Sequence, residues 1–138
     1  MKPLIDPVPT DLIEAELTRE RFLRPTNNGD NEIYVVTAGD SPNVMREIGR
    51  LREVSFRDGG GGTGADTDID EYDLDPEGYR QLIVWDPKQK EIVGGYRFII
   101  SHSSHPKCMS TEHYFRFTDK FREEYLPYTI ELGRSFVQ

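Results

Sequence analysis

Residues 80–86 (RQLIVWD) and 91–100 (EIVGGYRFII) are two β-branched and aromatic runs separated only by Pro87-Lys88-Gln89-Lys90. Four residues are too few to carry a chain back across a sheet, so strands joined this way run antiparallel as a hairpin. Whatever else the chain forms must pack on or beside that pair. Further strands are expected at Glu32–Thr37 (EIYVVT) and in the closing residues 129–138 (TIELGRSFVQ). Helical patterns stand between them. Thr10 is placed to cap a helix over Asp11–Leu23, with acids early, arginines late and Pro25 beyond it. Ser41-Pro42 opens a second helix, with Val44, Ile48, Leu51 and either Val54 or Ser55 as its apolar stripe. Thr118 is placed to cap a third, which runs to about Tyr125 before Pro127, and Tyr114–Phe117 reads as a strand or an aromatic tether. The order α-β-α-loop-β-β-α-β implies an α/β or α+β fold.

At 138 residues the chain has room for one core and not two. Its net charge of -8 is local: residues 66–77 hold seven acids and no base, which leaves 18 acids against 17 bases elsewhere. No basic stripe interleaved with aromatics is present, so nucleic acid is not an expected partner. No apolar run approaches the ~20 residues that span a bilayer, and Met1-Lys2-Pro3-Leu4 does not open a signal peptide. The single cysteine, Cys108, excludes an internal disulfide framework and fits a reducing compartment, so the cytoplasm is the expected location.

Four constellations have residue types suited to chemistry. The run Gly59-Gly60-Gly61-Gly62-Thr63-Gly64 lacks the Gly-Lys-Ser/Thr ending of a phosphate loop and follows a helix, so it reads as a flexible linker or a flap over a site. Asp66, Asp68, Asp70 and Glu77 occupy positions 1, 3, 5 and 12 of a calcium loop, but Glu71 stands where the turn needs glycine. A solvated acidic loop is the alternative. His102, His105, Cys108 and His113 are zinc-ligand types gathered in one stretch, at a spacing that matches no finger. Last, Arg97 lies on the second hairpin strand, with Glu131 and Arg134 on the closing one. Strand alternation puts Glu131, Gly133 and Ser135 on one face and Leu132, Arg134 and Phe136 on the other. A bulge at Gly133 would let Glu131 and Arg134 converge. Arg97 and Glu131 then form either a cross-strand ion pair or part of a site in which an arginine holds an anion beside a proton-accepting carboxylate.

Four of these segments recur in one register: Arg52-x-x-x-Phe56, Asp70-x-x-Asp73, Val93-Gly94-Gly95-Tyr96-Arg97 and Glu131-Leu132-Gly133-Arg134. Together they resemble the ornithine-lipid and glycine-lipid N-acyltransferases, often labelled hemolysin-like, and the related acyl-homoserine-lactone synthases of the GNAT superfamily. The resemblance runs from about Arg46 to Gln138, and the wording Glu-Leu-Gly-Arg-Ser favours the lipid-forming branch. It implies a GNAT-like mixed, largely antiparallel sheet flanked by helices. Residues 1–40 would be an extension with a short helix and the first strand, and residues 41–138 the N-terminal half of the domain. The donor-binding half would follow Gln138.

The implied reaction moves a long, 3-hydroxylated acyl chain from acyl carrier protein, or from acyl-CoA, to the α-amine of an amino acid such as ornithine or glycine. No permanently bound cofactor is implied, and a lipid product would bring peripheral contact with the inner membrane. Glu131 would be the base, and a backbone N–H near Phe136 would hold the oxyanion. Arg97 or Arg134 would grip the acceptor carboxylate, and Asp70 and Asp73 would attract its ammonium. Phe56 would line the acyl or acceptor pocket, and Arg52 of the same motif would be a substrate-binding residue. Arg46, Arg50 and Arg57 share a helix face suited either to an acidic carrier protein or simply to solvent. The alternatives are a homoserine-lactone synthase using S-adenosylmethionine, or a metal-binding or interaction module without catalysis.

Overall fold

The structure is a computed structural model that describes residues 1–101 and 109–138. It is an α+β fold in which five strands form one antiparallel sheet in the order β1-β2-β3-β4-β5. The strands are β1 Phe22–Pro25, β2 Glu32–Val36, β3 Arg80–Asp86, β4 Glu91–Ile100 and β5 Ile130–Val137. The hairpin strands span the expected residues. The helices are α1 Thr10–Glu16, α2 Pro42–Asp58, α3 Glu71–Leu74, α4 Thr111–Tyr114 and α5 Asp119–Glu124, with a 3₁₀ turn at Leu126–Tyr128. His102, His105 and Cys108 of the expected zinc cluster lie outside the described residues.

The helix expected over Asp11–Leu23 ends at Glu16, and Phe22–Pro25 form an edge strand instead. Two long-range contacts account for this. The Glu16 carboxylate accepts the backbone N–H groups of Asn43 (3.1 Å) and Val44 (2.7 Å), and so caps α2. The Phe22 ring meets Tyr34 edge-on with centroids 5.6 Å apart. Thr118 does accept the Phe121 N–H at the start of α5, as expected. Tyr114 closes α4 and belongs to no strand.

One face of the sheet is covered by α2. Val44, Met45, Ile48 and Leu51 pack on Tyr34, Val36, Ile83, Trp85, Ile92 and Phe136. Each such side chain contributes about 1.5–3 kcal/mol by leaving water. A second cluster, Tyr79, Ile99, Met109 and Leu126, lies further along the same face. Gln81 and Arg97 are cross-strand partners between the two clusters, and both are buried. A pair of polar residues thus interrupts an otherwise apolar face, and the candidate site is built there.

Two close approaches position that site. The acidic stretch crosses α2 at Gly49, whose carbonyl accepts the Asp68 N–H (3.0 Å), and a Cβ there would stand 2.6 Å from Ile69 Cγ1. On β5, Arg97 pairs with Gly133 and Gly95 pairs with Phe136, so Tyr96 faces both Arg134 and Ser135. This is a β-bulge, with Arg134 at φ 52°.

Candidate active site

The glycine run is anchored at its far end. Glu53, fully buried on α2, turns its carboxylate into the loop and accepts the N–H of Thr63 (3.0 Å), the Thr63 hydroxyl (2.8 Å) and the N–H of Gly64 (2.8 Å). Arg57 completes the clamp at 2.8 Å. Arg57 also donates to the carbonyls of Lys2 and Ala65, and Arg50 is paired with Glu47. Of Arg46, Arg50 and Arg57, only Arg46 is exposed, so no free basic face exists on α2.

The acidic stretch does not form a calcium loop. Asp70 caps α3 by accepting the Asp73 N–H, and Asp73 returns the contact to the Asp70 N–H, each at 3.1 Å. Among the described residues no three His, Cys, Asp or Glu side chains are gathered as metal ligands. The carboxylates face arginines instead. Arg52, fully buried, donates to Asp73 Oδ2 (3.0 Å) and Gln81 Oε1 (2.6 Å), while the Gln81 amide donates to Asp73 Oδ1 (2.8 Å). Arg97 bonds Asp70 at 2.7 Å and lies 3.3 Å from Asp73. Its guanidinium sits 4.5 Å from the Tyr79 ring centroid and 5.7 Å from that of Tyr72. Arg134 reaches Asp68 and, at 3.4 Å, Asp70. Three arginines therefore balance three aspartates. Burial favours the protonated carboxyl of Asp70, but the Arg97 hydrogen bond and charge outweigh it and hold the group below the usual carboxylate range.

Glu131 belongs to a separate cluster. It pairs in register with Ile99, not Arg97, and makes no ion pair with either arginine. Its oxygens accept from the Tyr79 hydroxyl, the Ser110 hydroxyl (2.7 Å), and the Thr111 hydroxyl (2.6 Å) and N–H (3.3 Å). Burial raises its pKa, yet these donors, the Thr111 hydroxyl foremost, bring it below the ordinary value. Burial first, then Glu131, push the Tyr79 phenol up to about 12.

A cleft of about 330 Å³ opens over these groups, walled by Asp70, Tyr72, Arg97, Ser110, His113 and Arg134 among others. Of the residues singled out from sequence, Asp70, Arg97 and Arg134 reach the cleft wall, as does His113 of the expected zinc cluster. Arg52 and Asp73 lie behind it as buried supports. Glu131 lies beneath Ser110. Phe56 is half-buried at the end of α2 and does not line the cleft; its carbonyl accepts the Gly61 N–H at 2.7 Å. Sequence reasoning missed Tyr79, Gln81, Ser110 and Thr111, and gave Asp68 a calcium-loop place rather than its pairing with Arg134. Gln81 left a usable signal, as the one polar residue on the inward phase of β3 beside Ile83 and Trp85.

Residues 51–138 match the model of the acetyltransferase (GNAT) domain family. The chain belongs to that family. It is 53% identical to a glycine N(alpha)-acyltransferase of Bacteroides thetaiotaomicron, over 99% of this chain and 42% of the relative. It is 52% identical to a glycine N(alpha)-acyltransferase of Phocaeicola vulgatus, over 99% of this chain and 44% of the relative. The chain thus spans less than half the length of each of these relatives. No solved structure matches it. No helix among the described residues is long and apolar enough to cross a membrane.

Proposed function

We propose that this chain carries the acceptor side of an N-acyltransferase that acylates the α-amine of glycine, as the first step of aminolipid synthesis. The observation that carries the reading is the mixed-sign cleft, in which Arg97 and Arg134 stand beside Asp70 and Glu71 on one wall. A zwitterionic amino acid presents the complementary pair of charges. Arg134, paired with Asp68 and Asp70 but with its side chain 30% exposed, is the cation with an open side for a substrate carboxylate, whereas Arg97 is 3% exposed and held by Asp70 and Asp73. Asp70 offers its exposed side to the ammonium. The names of the two relatives support glycine as the acceptor.

The donor is a long, 3-hydroxylated acyl thioester, on acyl carrier protein by preference to coenzyme A. Its binding residues are sought in the part of the relatives that this chain does not cover. The product, an N-acyl amino acid of the glycine-lipid type, brings a cytoplasmic enzyme into peripheral contact with the membrane. The test incubates the protein carrying this chain with glycine or ornithine and acyl thioesters of either carrier, followed by mass spectrometry. N-acylglycine is the expected product. Arg134→Met is expected to raise KM for glycine by about tenfold or more, the loss of one charge-assisted contact. Absence of any N-acyl amino acid refutes the reading.

A further inference from the structure

Three oxygens form a closed triangle beneath the cleft: Tyr79 Oη, Ser110 Oγ and Glu131 Oε1. Tyr79 and Ser110 are each within reach of Glu131, and their hydroxyls lie 3.2 Å apart. The carboxylate brings no proton, and each hydroxyl brings one. Both hydroxyls therefore donate to Glu131, and the Tyr79–Ser110 contact is left without a proton. Tyr79 Oη is also occupied as an acceptor, by the Ser110 N–H at 2.8 Å. With the Tyr79 proton directed to Glu131 rather than across the 3.2 Å contact to Ser110, the Ser110 Oγ lone pairs are left open to another donor. Of the residues that hold Glu131, Ser110 is the one that also lines the cleft. Its oxygen thus offers an acceptor to a group in the cleft and a proton to the carboxylate beneath.

We propose that Ser110 is a catalytic residue that relays a proton from the acceptor amine to Glu131. This rests on the acceptor reading given above. The bound ammonium first gives up one proton to solvent; the freed amine nitrogen then attacks the thioester carbonyl carbon, and the C–N bond forms as the carbonyl π pair moves to oxygen. Bond formation turns the nitrogen cationic and strongly acidic. Its proton passes to Ser110 Oγ while the Ser110 proton passes to Glu131 Oε1. Collapse of the adduct breaks the C–S bond, and the proton returns through Ser110 to the departing thiolate. The balance is amine plus thioester giving amide plus thiol, with Ser110 and Glu131 restored. A carboxylate held this firmly is a weak base, but the cationic adduct needs no stronger one. Tyr79 and Thr111 act as positioning residues by fixing the two carboxylate oxygens.

The experiment compares the protein carrying this chain with its Ser110→Ala and Ser110→Thr variants, using glycine and a long-chain acyl thioester, with thermal unfolding as the check on folding. Ser110→Ala is expected to lower kcat by about 10²- to 10⁴-fold, the usual worth of a proton-transfer group, with KM for glycine within about threefold of the parent. Ser110→Thr keeps a hydroxyl and is expected to retain activity within about tenfold. An active parent whose Ser110→Ala form keeps its kcat overturns the relay and leaves the acceptor reading standing. An inactive parent overturns both. Should Ser110→Ala fail to fold, Ser110→Thr decides: folded and active upholds the relay, folded and inactive overturns it.

Discussion

Glu53→Gln tests whether the glycine run is a clamped loop or a mobile one. The parent carboxylate is fully buried. Burial raises its pKa, but the Thr63 N–H, Arg57, the Thr63 hydroxyl and the Gly64 N–H outweigh burial and bring the group from 4.5 to about 2. A depression of that size corresponds to about 3 kcal/mol of folding stability. Because the folded pKa lies below the unfolded one, this contribution is complete above about pH 4.5 and is lost as pH falls through about 2. Glutamine keeps the volume, but its amide nitrogen faces two donors and Arg57 loses its counter-charge. At neutral pH the variant is therefore expected to lose about 3 kcal/mol in urea unfolding, or about 10 °C in Tm for a chain of this size. Its stability should also fall less than the parent's between pH 4.5 and 2. Hydrogen exchange gives an independent reading: the Thr63 and Gly64 amides should be protected in the parent and exposed in the variant. A variant within about 0.5 kcal/mol of the parent, or parent amides that already exchange freely, refutes the clamp.

Three other perturbations follow from the packing. At Gly95 a Cβ would collide with the Leu82 carbonyl oxygen, whereas at Gly133 the nearest atom would be Arg97 Nε at an ordinary 3.8 Å. Gly95→Ala should thus cost about 1–3 kcal/mol or more and Gly133→Ala less than about 1 kcal/mol, measured by denaturant unfolding, and equal effects would contradict the strand pairing. Arg52→Met removes the cation shared by buried Asp73 and Gln81, leaving Asp73 to Arg97 and the Gln81 amide, and should cost about 3–5 kcal/mol; adding Asp73→Asn should return about 0.5–3 kcal/mol relative to additivity, as read from a double-mutant cycle. The Tyr79 phenol titrates near 12 when folded, above its ordinary value of 10.0, so its contribution is present below pH 10 and lost toward 12. Tyr79→Phe should flatten that alkaline loss by on the order of 1–3 kcal/mol, and an unchanged profile would contradict its bond to Glu131.

The hairpin was legible because its evidence is local: two β-branched runs and a four-residue connection too short for any other route. The second helix was legible for the same reason. The first was misread because its stop is set from a distance. Residues 17–23 keep helix-compatible composition, yet Glu16 caps α2 and Phe22 rests on Tyr34, and neither contact can be read from a window of neighbours. Arg97 and Arg134 were legible as charge on strands, and Arg52 through the Arg-x-x-x-Phe pattern on α2. Their partners were not. Arg97 meets Asp70 rather than Glu131, and Arg52 meets Gln81 as well as Asp73, because the acidic stretch folds over α2 at Gly49.

The closing strand shows why alternation alone gave the wrong faces. A regular β5 would put Phe136 opposite Glu131 and Gly133, so core and site would compete for the inner face. The bulge at Arg134–Ser135 removes the conflict: Gly133 pairs with Arg97 and Phe136 with Gly95, and Phe136 is buried with the apolar cluster under α2. Arg134 bears the cost, at φ 52°, a conformation worth roughly 1–3 kcal/mol of strain in a residue without glycine's freedom. Its bonds to Asp68 and Asp70 hold it there. One extra residue in the strand thus lets the same eight residues close the core at one end and support the cleft at the other.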